Sequence, residues 1–432
     1  MAEQVTNYKC LACGGSVHFD GVAGKLKCDY CDSTFSVEEM EAAMKAENEK
    51  AAAAMAKAEA KAKSNPEEGQ TTEGMKLYSC PSCGAELICD ETTAATCCPY
   101  CGNQTVIPGQ FSGRLEPEFV IPFKTEKKQA KEALTNHYKG KVLLPKSFIT
   151  GNHIEDIQGV YVPFWMFDCL MEGDVEFEAT SETVQRKKNK EITTKKYYRA
   201  DRSGSVNFEK VPVDASVRMP DGHMDSIEPF NYEEMKPFSM AYMPGFLAEK
   251  YDVSAKECEG RMQERCETTF VNEAQHTVTG YDSVTYVDGN MRVKKATPHY
   301  AMLPVWLLCT KWQEENFIFA MNGQTGKLVG DLPMDKKKYW TIFFGEMLGL
   351  MVLMYFLCLL IWGGGATLTT LICGCLVFPI IITWLTLTVL KQQLVSVETQ
   401  SAARYVGAGG ITLSHSEDTY LRTETTTRDL DD

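Results

Sequence analysis

The chain has 432 residues, 44 Lys and Arg against 58 Asp and Glu, a formal charge of -14 and a pI of about 5.2. That length holds two or three folding units of ~100 to 200 residues and excludes a single small module. The acidic balance argues against a general nucleic-acid surface, whose affinity comes from Lys and Arg neutralising phosphates.

Seventeen cysteines would suggest a disulfide scaffold in a short secreted chain. Here the first residues, MAEQVTNYK, are polar and show no signal-peptide pattern, so the N-terminus is expected to stay in the reducing cytosol. Cys10 and Cys13 (CLAC) are followed after fourteen residues by Cys28 and Cys31 (CDYC). Cys80 and Cys83 (CPSC) are followed at the same interval by Cys98 and Cys101 (CPYC). A two-residue gap lets a tight turn aim two sulfurs at one tetrahedral ion, and the fourteen residues between form a short hairpin that returns the second pair. The spacing predicts two zinc ribbons, residues 1–35 and 75–110, each with one structural Zn2+. Four thiolates close the coordination shell and leave no position for a catalytic water. Gly14, Gly84 and Gly102 follow three of the four knuckles. Cys97 is a neighbouring alternative to Cys98; the remaining cysteines read as small apolar residues. Residues 1–110 carry nine Lys and no Arg against sixteen Asp and Glu, the opposite sign to a nucleic-acid ribbon.

Between the ribbons, in a linker over 36–74, Ser36–Lys63 is rich in Ala, Glu and Lys and free of Gly and Pro, which predicts an exposed spacer helix. Ser36 and Glu39 form a capping box at its start. Residues 111–335 read as one mixed α+β domain with helices near Thr125–Lys139 and Asp252–Thr269. An internal echo, YVPFWMFDC at Tyr161–Cys169 and MLPVWLLCT at Met302–Thr310, suggests a duplication with Trp165 and Trp306 in the core. The basic run Gln185–Arg199 is expected as an exposed hairpin tip, solvated, in contact with anionic lipid or, third, with nucleic acid. MNGQTGKLVGDLP lacks the first glycine and the Ser or Thr of a phosphate-binding loop, and no catalytic constellation is evident.

Trp340–Trp362 has Glu346 as its only charge and Ala366–Leu390 has none, with Gly363, Gly364 and Gly365 between them. This predicts a two-helix transmembrane hairpin over 336–391, both flanks cytoplasmic because Lys336, Lys337, Lys338 and Lys391 border it. A polar, Thr-rich cytoplasmic tail over 392–432 follows, its strand-like run at Tyr405–Leu413.

The paired ribbons, the VPFW and LPVWLL segments, FAMNGQTGKLVGDLP and the terminal apolar runs together resemble a family of bacterial zinc-ribbon membrane proteins. Its members are often labelled TFIIB-type zinc-ribbon or primosomal-helicase-like. No helicase motor is present, so the label implies no helicase activity. Some relatives are similar to membrane-stress proteins encoded beside phage-shock protein A and flotillin-like (SPFH) proteins. The resemblance implies a non-enzymatic adaptor in the cell membrane that recruits such a cytoplasmic partner, contacts lipid, and leaves room for a homo-oligomer. The alternatives are a membrane-tethered nucleic-acid-binding protein and an oligomeric channel using Glu346.

Overall fold

The computed structural model describes residues 8–45, the backbone of four strands between 75 and 106, and residues 116–151, 156–187, 190–313, 315–362, 377–398 and 401–429. In chain order, the first ribbon is β1 (Val17–Asp20), β2 (Lys25–Cys28) and β3 (Thr34–Phe35), a three-stranded antiparallel sheet leading into α1 (37–45). Next come β4 (Met75–Ser79), β5 (Glu86–Asp90), β6 (Thr93–Cys97), β7 (Gln104–Val106), β8 (Phe119–Val120), α2 (Lys127–Tyr138) and α3 (Lys146–Gly151). The centre holds β9 (Gln158–Lys187), β10 (Lys190–Asp214), α4 (Asp221–Ser226), β11 (Lys236–Pro237), β12 (Leu247–Glu249), α5 (Ala255–His276), β13 (Ser283–Trp312), β14 (Glu315–Asn322) and β15 (Leu328–Val329). The chain closes with α6 (Lys336–Trp362), α7 (Phe378–Gln392) and β16 (Val406–Asp429).

The expected mixed α+β class is corrected: the fold is mostly β, a half-barrel built on an 11-stranded sheet. Its frame is four antiparallel strands in the order β13-β9-β10-β16, of which β9 and β13 have 30 residues each. At about 3.3 Å per residue such a strand runs on the order of 100 Å. The sequence hid this because the glycines and prolines that read as turn punctuation lie inside strands. Pro163 pairs with Met302 and Pro304 with Tyr161, which also sets the two echo segments side by side in the sheet. Gly173 is needed for space, since a Cβ there would come within 2.6 Å of Met291 and 3.1 Å of the Phe270 ring.

Alternation along the strands sorts the core into tiers. In the base, Val160, Val162 and Phe164 face Met224 of α4 and Ile227 just after it, while Tyr161 faces the side covered by α2 and the ribbon. In the distal blade, Phe167, Cys169, Met171, Val175, Phe177 and Ala179 meet Cys258, Met262, Cys266, Phe270 and Ala274 of α5, one stripe at helical spacing. Ser254 caps α5 through a capping box with Glu257.

The two-helix transmembrane hairpin is also corrected. Among the described residues one helix, over Lys336–Cys358, is long and apolar enough to cross a membrane. Among the described residues α7 has 15 residues, about 22 Å at ~1.5 Å per residue and short of a hydrocarbon core of about 30 Å. Pro379 sits in the first described turn of α7, a position where a missing N–H costs little. The expected glycine turn and the beginning of the second run, residues 363–376, lie outside the described residues. α7 packs beside α6: Thr386 Oγ1 donates to Glu346 Oε1 at 3.0 Å, and Lys391 Nζ lies 4.8 Å from the Tyr339 ring centroid. The Leu332 N–H donates to the Leu394 carbonyl at 2.9 Å, so the chain leaves and rejoins the β domain at neighbouring points.

Candidate metal centre

The chemistry of the first ribbon starts from its two knuckles. Backbone N–H groups of Ala12 and Tyr30 lie 3.4 Å from the sulfurs of Cys10 and Cys28, two residues earlier in each case. Each turn then needs a left-handed residue directly after its second cysteine. Gly14 supplies it with φ 74°, and at the fourth knuckle, where no glycine stands, Asp32 adopts φ 55°. Asp is among the few non-glycine residues that tolerate this region, because its short side chain hydrogen-bonds locally. Asp32 also pairs with Lys27 at 3.0 Å.

The result is four sulfurs, of Cys10, Cys13, Cys28 and Cys31, all within 4.8 Å of one another. Cys10 and Cys31 are 3.6 Å apart and Cys13 and Cys28 3.5 Å. A tetrahedral zinc with Zn–S of about 2.3 Å would set sulfurs about 3.8 Å apart, so the donor set fits. Hydrogen bonds from the Ser33 side chain and backbone, with the neighbouring Cys13 thiol, pull Cys31 down to about 6. Cys13 moves the other way, up to about 12; the Gly15 N–H favours its thiolate, but the Cys31 and Cys28 sulfurs outweigh it. Four adjacent thiols cannot all ionise against each other, and a cation removes that conflict. Among the described residues this is the one group that could hold a metal ion. The ligands expected at the second ribbon, Cys80, Cys83, Cys98 and Cys101, lie outside the described residues.

The ribbon is built into the β domain. Phe19 N–H donates to the Pro244 carbonyl at 2.8 Å, and the Phe19 and Tyr242 rings meet edge to face at 5.1 Å. A Cβ on Gly21 would fall 2.0 Å from the Phe123 carbonyl oxygen, so only glycine permits this approach. Val37 and Met40 of α1 are buried in the same core, which corrects the exposed-spacer expectation for the start of that helix. Its capping box is formed, Ser36 N–H to Glu39 at 2.8 Å and Glu39 N–H to Ser36 Oγ at 3.1 Å. Residues 46–74 lie outside the described residues. A cavity of about 750 Å³ separates ribbon and base, with Lys27, Asp29, Lys127, Lys128, Phe246 and Trp306 among its walls.

The motif that resembled a phosphate loop is a structural turn. Asn322 is fully buried; its Oδ1 accepts from the N–H groups of Gln324 and Thr325, both at 2.9 Å, and its amide donates to the Ile227 and Pro229 carbonyls. Lys327 Nζ donates to the Glu228 carbonyl at 2.7 Å. Trp165 and Trp306 donate their indole N–H to Val253 O and Thr125 Oγ1.

Sequence reasoning missed a buried charge cluster. Arg265 of α5, 5% exposed, donates to both carboxylate oxygens of Glu228, 3% exposed, at 3.0 and 2.7 Å. It also donates to the Pro212 carbonyl at 2.6 Å, and Tyr405 donates to Glu228 Oε2 at 2.6 Å, which bolts the C-terminal segment to the base. Burial raises the pKa of Glu228 against the pull of Arg265. Beside it, Arg261 bridges Asp214 and Asp225 at 2.8 and 3.1 Å, and burial pushes Asp214 up to about 6. The available signal was a charged side chain, Arg265, on the apolar stripe of α5.

No model of a known family matches the chain, and no solved structure matches it. It is 34% identical over 360 residues, 83% of this chain and 99% of the relative, to the uncharacterized protein YdjG of Bacillus subtilis (strain 168). At that identity and coverage, the chain belongs to the YdjG family.

Proposed function

We propose that the chain is a zinc-binding adaptor, held at the inner face of the cell membrane, that recruits a cytoplasmic protein. The observation that carries this reading is the closed donor set: four sulfurs converge within 4.8 Å, which serves structure and leaves no open coordination position for chemistry. Zinc at Cys10, Cys13, Cys28 and Cys31 folds the ribbon, and a second zinc at Cys80, Cys83, Cys98 and Cys101 follows from the repeated spacing. Support for membrane attachment comes from α6, whose side chains Trp340, Phe344, Leu348, Phe356 and Leu360 are all more than half exposed. An apolar surface of that extent calls for lipid or a partner. The tail strand β16 pairs with β10, which keeps the described part of the C-terminal tail with the β domain.

The partner class follows from the resemblance: a flotillin-like SPFH or phage-shock-type protein. A pull-down from detergent extract, comparing the full chain with a Cys10→Ser/Cys13→Ser variant, tests the reading. The expected result is a protein of that class retained by the wild type and lost from the variant, with both chains in the membrane fraction. Recovery of nucleic acid instead, with a steep salt dependence, would overturn it in favour of a nucleic-acid-binding ribbon.

A further inference from the structure

The chain passes into α6 and out of α7 through a neck in which the β domain takes part. The Asp335 N–H, one residue before α6, donates to the Leu143 carbonyl at 2.9 Å. Lys141 Nζ donates to the Gln393 carbonyl, one residue past α7, at 2.6 Å. The loop between α2 and α3, over 139–145, therefore touches the near ends of both apolar helices. Gly140, at φ 73°, turns the chain out of α2 into this loop. Tyr339, Ile342 and Leu390 pack on the same core cluster as Leu143, Leu144 and Phe148.

Distance along α6 sets the depth of the loop. Lys391 Nζ lies 4.8 Å from the Tyr339 ring centroid, which puts the two helices level at that point, and the exposed Trp340 follows. Tyr and Trp of this kind sit at the boundary between hydrocarbon and headgroups. Asp335 precedes Tyr339 by one turn, about 6 Å at ~1.5 Å per residue. The headgroup layer on each side of a bilayer is about 5 to 8 Å deep. When α6 crosses a membrane, the segment hydrogen-bonded to Asp335 thus stands in that layer.

Charge says which headgroups fit. Residues 139–149 hold Lys139, Lys141 and Lys146 and no Asp or Glu, in a chain whose formal charge is -14. Lys336, Lys337, Lys338 and Lys391 border the same neck. None of these lysines forms an ion pair among the described residues. The nearby carboxylates are turned to backbone: Asp335 accepts from the Lys338 N–H at 3.0 Å, and Asp331 from the Ser396 and Val397 N–H groups at 2.8 and 3.1 Å. Val142 and Ile149 stand exposed beside the lysines, which gives the surface the mixed basic and apolar character of an interfacial segment.

The basic run Gln185–Arg199 differs on both counts. Its tip lies at the opposite end of the 30-residue β9 from the base. Its cations are matched by carboxylates of the sheet itself: Lys195 with Glu182 at 3.2 Å, Arg186 with Glu191 at 2.8 Å, and Arg199 with Glu176 and Asp201 at 3.2 and 3.0 Å.

We propose that the surface over 139–149, with the lysines of the neck, binds anionic phospholipid headgroups of the membrane that α6 enters, and that the basic hairpin does not. Unpaired cations held at headgroup depth are attracted by a negative surface and lose that attraction as salt rises. The proposal rests on the membrane attachment proposed above and adds the lipid class and the residues that meet it.

The test reconstitutes the full chain into nanodiscs of phosphatidylcholine alone or of an equal mixture with phosphatidylglycerol, and follows amide hydrogen exchange over residues 142–149. Exchange there is expected to be several-fold slower in the mixture, and high salt should remove the difference. Lys139→Glu/Lys146→Glu should abolish it while leaving exchange in phosphatidylcholine and the circular dichroism unchanged. Lys139→Arg/Lys146→Arg should preserve it, as should Lys195→Glu/Lys196→Glu on the hairpin. Equal exchange of a reconstituted wild type in the two bilayers would overturn the proposal and leave the membrane attachment standing. So would a difference that survives Lys139→Glu/Lys146→Glu, or one that Lys195→Glu/Lys196→Glu removes. A chain that enters neither bilayer would overturn the attachment and the proposal together.

Discussion

Arg265→Met removes the guanidinium from the buried cluster while keeping a side chain of similar length on the α5 stripe. It leaves the carboxylate of Glu228 with Tyr405 and without its cation, at a site where Glu228 is 3% and Tyr405 6% exposed. Stripping one partner from a buried, hydrogen-bonded ion pair costs about 3 to 5 kcal/mol, because the remaining charge stays desolvated. With a urea slope near ~3 kcal/mol/M, the midpoint for the detergent-solubilised chain should fall by about 1 to 2 M. The loss should shrink on acidification. Burial already raises Glu228, the folded state of the variant binds a proton that the unfolded state does not, and its stability therefore rises as pH falls. Adding Glu228→Gln should recover part of the loss, because the stranded charge is gone. A midpoint shift under about 0.3 M, equivalent to less than ~1 kcal/mol at that slope, would refute the reasoning.

Asp32→Val should weaken metal binding to the first ribbon by about tenfold, since a β-branched residue at φ 55° costs on the order of 1 to 2 kcal/mol; Asp32→Gly should not, and competition with a chromogenic chelator reads both. Gly21→Ala should retain the metal but undock the ribbon from the base, seen as faster hydrogen exchange across β1 and β2, because the new Cβ meets the Phe123 carbonyl. Asp214, pushed up to about 6 by burial, is destabilised in its ionised form, so wild-type stability should rise as pH falls from 7 to 5. Relative to Asp214→Asn the gain over that interval should be about 1 kcal/mol; a gap that is flat or of opposite sign would contradict the assignment.

The four-cysteine centre was legible because tetrahedral coordination imposes a spacing that survives any surrounding sequence, and Cys10, Cys13, Cys28 and Cys31 converge as the spacing implies. The role of Asp32 could have been read from the same comparison, since the other three knuckles place glycine there. The sheet was hidden by the residues that enable it. Gly173 gives room for α5 against β9, and Pro163 and Pro304 lie within paired strands, yet all three imitate turn signals. Composition over Ala366–Leu390 gave the apolarity of that stretch but not how much of it forms one helix; among the described residues α7 covers Phe378–Gln392. The cluster of Arg265, Glu228 and Tyr405 joins positions 37 and 177 residues apart, and no local pattern records such a meeting.

The central claim is a structural metal centre at the first ribbon of a membrane-associated chain. Elemental analysis of the full-length protein, extracted from membranes and compared with a Cys10→Ser/Cys28→Ser variant, tests it most directly. The account predicts two zinc ions per wild-type chain and one fewer in the variant. Equal metal content in the two chains, or none in either, would contradict it.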